Sequence, residues 1–120
     1  MATEFKRLTM KNVPTTALPN ESDGTSDIYS VPANCDSVII GLILCNKSAG
    51  AIVVDALIEA HTGDDVYLIK NADVPYGSSL EIISGKVVVS NTGSGTGDIV
   101  QARCATANAL DVTLSVLENT

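Results

Sequence analysis

Leu110-Asp-Val-Thr-Leu-Ser-Val-Leu-Glu118 carries the clearest pattern in the chain. In an extended strand, Leu110, Val112, Leu114 and Val116 point to one side while Asp111, Thr113 and Ser115 point to the other. An apolar row backed by a polar row suits a strand with one face in a core and the other in water, as in an antiparallel sheet. The rhythm recurs upstream in short segments. Strands are expected at about 27–31, 37–46, 51–60, 65–70, 79–83, 86–90, 98–104 and 110–118, with a further one over 4–10. No segment shows a helix-length repeat.

Turn formers separate these strands. Pro32-Ala-Asn34 turns the chain, and Asn46-Lys-Ser-Ala-Gly50 and Thr62-Gly-Asp-Asp65 read as hairpins. Pro75-Tyr-Gly77, Ser84-Gly85 and Asn91-Thr-Gly-Ser-Gly-Thr-Gly97 complete the set, the last as a flexible hairpin tip. Residues 14–27 are polar and contain Pro and Gly, so no core element is expected there. Short strands at intervals of ~8–12 residues predict an all-β fold, an antiparallel β-sandwich of about eight strands with immunoglobulin-like or jelly-roll topology. The chain then divides into an N-terminal segment and connection, 1–25, and a β-sandwich domain, 26–120.

A chain of 120 residues can bury about two-thirds of its unfolded surface in one core. That core must be aliphatic, because the aromatics are only Phe5, Tyr29, Tyr67 and Tyr76. The net charge is −7, unevenly spread. Lys6, Arg7 and Lys11 are opposed only by Glu4 in the first twelve residues, whereas from Val13 onward 4 bases face 13 acids. Such a body repels phosphate backbones, so no nucleic-acid partner is expected. The longest apolar run, Val38 to Cys45, is too short to cross a bilayer as a helix, and no membrane association or signal peptide is expected. Cys35, Cys45 and Cys104 do not form a disulfide framework and read as free buried thiols of a protein made in a reducing compartment.

Ser37-Val-Ile-Ile-Gly-Leu-Ile-Leu-Cys45 departs from the alternation. Val38, Ile40, Leu42 and Leu44 form one row, and Ile39, Ile43 and Cys45 the other, thinned by Gly41. A strand apolar on both sides needs cover on its outer face, from another subunit or from the N-terminal segment or long connection. Val53 and Leu57 on the next strand extend that second face, so Ile39, Ile43, Val53 and Leu57 are candidate interface residues. The basic, partly apolar N-terminal segment supplies Phe5, Lys6, Arg7, Leu8, Met10 and Lys11 as further candidates. It is either an arm that adds a strand to a neighbouring subunit or the first strand of its own sandwich.

Catalytic signals are missing. His61 stands alone before a turn, with no second His or Cys pair at zinc-ligand spacing. Gly93-Ser-Gly95-Thr-Gly97 lacks the Lys-Ser/Thr ending of a phosphate loop and leads into a strand. Asp64, Asp65, Asp73 and Asp98 sit near turns without EF-hand spacing. No enzyme activity, metal, cofactor or small-molecule substrate is expected. The scarcity of aromatics also counts against a carbohydrate-binding platform.

Ile28-Tyr-Ser-Val-Pro-Ala-Asn34 followed by Ser37-Val-Ile-Ile-Gly-Leu-Ile-Leu-Cys-Asn46 resembles small virion β-sandwich proteins of tailed bacteriophages, which show a "tyr-x-val-pro-ala" opening and an apolar strand ending in Asn. Val74-Pro-Tyr-Gly-Ser-Ser-Leu-Glu81 and Gly85-Lys-Val-Val-Val89 are similar to their "pro-x-gly-x-ser-leu" and "lys-val-val-leu" hairpin. Gly97-Asp-Ile-Val100 and 110–118 are similar to their closing strands, so the likeness covers about 26–118. Gly95-Thr-Gly97 departs from a short "ala-gly-asp" turn. The resemblance implies a structural virion protein, either a capsid decoration (cement) protein or a neck, collar or tail-fibre-attachment protein. A carbohydrate-binding adhesion module is the more distant reading. The implied partners are copies of itself, as in a trimer, and a major capsid, neck or tail protein. The implied location is the virion, after synthesis in the host bacterial cytoplasm.

Overall fold

The computed structural model describes residues 3–21, 24–61, 63–83, 85–93 and 95–120. The expected turn residues Thr62 and Ser84, Ser94 of the glycine-rich loop, and Met1, Ala2, Ser22 and Asp23 of the N-terminal part lie outside the described residues. The described residues form strands β1 (Thr3–Met10), β2 (Asp27–Ser30), β3 (Cys35–Asn46), β4 (Ile52–Glu59) and β5 (Val66–Val74), then β6 (Ser79–Glu81), β7 (Val87–Asn91), β8 (Ile99–Cys104) and β9 (Leu110–Asn119). The larger sheet runs β1-β9-β3, with β6 and β7 both on the far edge of β3, and the smaller runs β2-β8-β4-β5. The chain is an antiparallel β-sandwich, as its alternating segments require.

The pairing decides the topology. β1 pairs with β9, β2 with β8, β3 with β6 and β7, and β4 with β5, all antiparallel. This is one long hairpin, reversed between β4 and β5 and rolled until β3 meets β9 and β4 meets β8. The arrangement is a jelly roll. Among the described strands, only β4 and β5 are therefore consecutive hairpin partners. The segments at 46–50 and 91–97, expected as hairpins, instead arch between sheets, because β3 and β4, and likewise β7 and β8, lie in opposite layers. The pair expected as a hairpin around Ser84-Gly85 is one edge strand in two pieces: β6 lies along Ile43–Cys45 and β7 along Cys35–Ile39.

Two asparagines shape the arches in the same way. Asn46 donates from Nδ2 to the carbonyls of Gly50 (2.8 Å) and Val74 (2.9 Å) and accepts from the Ser48 amide at Oδ1 (2.9 Å). Asn91 donates to Gly95 (2.8 Å) and Val31 (3.1 Å) and accepts from Gly93 (3.2 Å). Both side chains are buried. Each satisfies backbone groups that a chain leaving one sheet for the other would strand away from water. The 91–97 segment is thus a tied arch, further held by Asp98, which accepts the amides of Ser90 (3.0 Å) and His61 (2.8 Å). Gly97 packs so tightly here that a Cβ would lie 2.3 Å from Asn91 Cβ.

The core is aliphatic. Val112, Leu114 and Val116 of β9 meet Val54, Ala56, Val100 and Ala102 of the smaller sheet, joined by Ile39, Leu42 and Leu44 of β3. Each Val, Leu or Ile among them contributes about 1.5–3 kcal/mol on burial. Residues 3–10 belong to this sandwich: β1 lies along β9 over its whole length, and Leu8 and Met10 pack against the core. Val13 is fully buried, donating its amide to Leu110 at 2.9 Å, so the division at residue 25 is not a structural boundary.

Within β3 the expected rows are rearranged. Ile39 pairs with Val116 and Gly41 with Ser115, which leaves Ile40 as an extra residue on β3. This bulge switches the inward row from Cys35, Ser37 and Ile39 to Leu42, Leu44 and Asn46. Ile39 therefore belongs to the core, and Ile40, Ile43 and Cys45 are exposed. The strand buried on both faces is β4, not β3.

Replacing Asn91 with Ala removes three hydrogen bonds to buried or half-buried backbone and is expected to cost about 2–4 kcal/mol in urea unfolding. Gly97→Ala should be at least as damaging. Gly95→Ala, whose Cβ would meet nothing within 4 Å, should be neutral by the same measurement.

Candidate interaction surface

The outer faces of the two sheets differ. Over the smaller sheet lies the chain from Pro14 to Glu21, part of the segment 14–27 that the sequence marks as polar and coreless. Gln101, fully buried, accepts the Asn20 amide at Oε1 (3.1 Å) and donates from Nε2 to the Asn20 carbonyl (2.6 Å) and to Asp27 (2.8 Å). Arg103 Nε donates to Thr15 (3.2 Å), Tyr67 to Leu18 (3.3 Å), and the Cys104 amide to Pro14 (3.1 Å). Beside them Asp55, 2 % exposed, accepts the Asn71 amide (2.6 Å) and sits 3.5 Å from Arg103. Leu57 on this face is 1 % exposed.

The larger sheet has no such cover among the described residues. Register places Phe5 beside Leu117, Leu117 beside Val38, and Val38 beside Val88. These four make a transverse apolar row across β1, β9, β3 and β7 on the outward side. Phe5 is 75 % exposed and Val88 65 %, and Ile40 and Ile43 at 43 % and 40 % flank the row. A contiguous apolar patch left open on a sheet face makes this a candidate interaction surface.

The expected interface residues fall into three places. Phe5, Arg7, Lys11 and Ile43 lie on or beside this open face. Lys6, Leu8, Met10 and Ile39 lie on the inward side of the same sheet, because they alternate with the first set or precede the bulge. Val53 and Leu57 are on the opposite outer face, so they cannot extend a surface begun by Ile43. Val38, Ile40, Val88 and Leu117 were not among the expected residues. The signals available were Leu117, an apolar residue on the polar side of the 110–118 alternation, and the row of Val38 and Ile40 in a strand apolar on both sides.

A polar cluster fastens β1 to this sheet. Glu118, 4 % exposed, accepts a short hydrogen bond from the Tyr29 hydroxyl and pairs with Lys6 Nζ at 3.0 Å. Ser37 Oγ lies 2.7 Å from the Tyr29 oxygen and 3.5 Å from Cys35 Sγ. Burial raises the Glu118 carboxyl, but the Tyr29 hydrogen bond and Lys6 outweigh it and hold the pKa below the ordinary value. Burial and the Glu118 contact push Tyr29 upward.

The remaining polar groups serve the fold. Asp65 accepts the Ala60 amide (2.9 Å), His61 is exposed, and no cluster of three metal-ligating side chains exists among the described residues. Cys35 and Cys104 are buried free thiols, while Cys45, expected to be buried, is exposed because the bulge turns it outward. Comparison with known proteins finds no family model that matches the chain and no matching curated protein.

Two carboxylates should respond oppositely to pH. Glu59 is raised by burial and by Glu21, Asp65 and Asp27, and its Oε2 has no hydrogen-bond partner among the described residues. A raised pKa favours the fold below the unfolded value of about 4.3, and that benefit is lost as pH rises through the folded value. Glu59→Gln should therefore raise Tm at pH 7, by about 1–3 °C, and lose that advantage near pH 4. Glu118 is lowered, so its contribution is present above about pH 4.3 and lost as pH falls through its folded pKa. Glu118→Gln should cost about 1–2 kcal/mol at pH 7 and less in acid, as read by thermal melts across pH 3–7.

Proposed function

We propose that this chain is a structural virion protein of a tailed bacteriophage, a capsid decoration protein that stabilises the head through protein–protein contacts. The observation that carries this reading is the apolar row Phe5–Leu117–Val38–Val88 on an uncovered sheet face, a surface built for packing against protein. The likeness of residues 26–118 to small virion sandwich proteins supports it. The jelly roll by itself supports many roles and adds little.

A neck, collar or tail-attachment protein of the same virion would use the same fold and is distinguished by stoichiometry. Quantitative mass spectrometry of purified particles should find the chain in copies on the order of hundreds, following the symmetry of the shell. Particles depleted of it should lose heads at lower temperature than complete ones. Of order ten copies would move the protein to the neck or tail. Its absence from particles would overturn the virion reading.

A further inference from the structure

The charge of the molecule is segregated by face. On or bordering the outer side of the larger sheet, the bases Arg7, Lys11, Lys47 and Lys86 stand against the acids Asp36, Glu81 and Asp111. Among the other described residues three bases face ten acids, so the excess negative charge lies away from the apolar row. Over the rest of the described surface, two approaching copies meet like charge on balance. By this side they do not.

The face is also complementary to itself. Arg7 and Lys11 lie at its β1 edge, and Glu81 lies on β6 at the opposite edge, with the apolar row between the two edges and next to Arg7. A two-fold axis along the strands, between β9 and β3, lays β1 of one copy over β6 and β7 of the other. Phe5 then meets the second copy's Val88, Leu117 meets Val38, and Arg7 comes within reach of Glu81. Ten residues of β9 and four strand positions give a face of roughly 33 by 19 Å at the usual spacings. Burying it on both copies removes roughly 1,200 Å², above the ~1,000 Å² that a specific interface needs.

We infer that the outer face of the larger sheet binds a second copy of this chain, forming a face-to-face two-fold dimer with Phe5 of each copy against Val88 of the other. The inference uses the apolar row that also supports the virion reading, but its test is separate, because the isolated protein is measured with no particle present. The wild type should sediment as a monomer–dimer equilibrium with a dissociation constant of about 10–100 μM. Val88→Asp and Phe5→Asp, at exposed positions, should keep the melting temperature within a few degrees yet weaken the dimer at least tenfold. Val66→Asp, exposed on β5 of the smaller sheet, should leave it unchanged. In a Cys45→Ser background, Phe5→Cys and Val88→Cys proteins should cross-link on mixing, and Phe5→Cys alone should not. A wild type monomeric up to millimolar concentration, a dimer that survives both Asp substitutions, or cross-linking of Phe5→Cys to itself would each overturn the inference.

Discussion

Strand β3 runs along the middle of the larger sheet, paired with β9 on one side and with β6 and β7 on the other. One extra residue within it, Ile40, reorganises everything beside it. The bulge leaves the Leu42 amide to be met by the Glu81 carboxylate at 2.9 Å, while the Leu42 carbonyl accepts from Ile82 at 3.1 Å. The same carboxylate lies 3.4 Å from the Ile83 amide. A side chain thus stands in for strand pairing, which is why the edge opposite β3 is broken into β6 and β7. Gly41 belongs to the same arrangement, since a Cβ there would press on Glu81 at 3.4 Å. The bulge brings Ile39 and Leu42 into one core and turns Ile43 and Cys45 outward, beside the apolar row that Phe5, Leu117, Val38 and Val88 make on the larger sheet.

The two outer faces show how backbone and side chains divide that work. The connection over the smaller sheet has no strand of its own, so its amides and carbonyls are met by side chains rising from β8 and β5: Gln101, Arg103 and Tyr67. Polar residues in a strand that look solvent-directed are there internal fasteners. Burying them is tolerable because each has its partner. The larger sheet spends its outward positions differently, on Phe5, Leu117, Val38 and Val88. Its edge strand β1 is secured from the inward side by Lys6 and Glu118. One face is covered by the chain itself, and the other carries an exposed apolar row.

Much of this molecule is legible without coordinates. A period of two along 110–118 determines β9 and its inward row, because alternation in a half-buried strand depends only on local geometry. The aliphatic core, the number and rough limits of the strands, and the sandwich class follow from the same periodicity and the turn residues between. Phe5, Arg7, Lys11 and Ile43 could be picked out as surface candidates from their own chemistry. What stayed hidden depends on pairing between distant segments. Whether 46–50 and 91–97 are hairpins or arches turns on which sheet receives the next strand. The bulge at Ile40 is invisible until Ile39 and Gly41 are seen against Val116 and Ser115. The row from Phe5 to Val88 joins residues 83 positions apart in the chain, and only register aligns them. The sequence by itself determined which residues want a core. The tertiary structure alone decided which face each of them reaches, because a one-residue shift in a strand reverses every side chain beyond it.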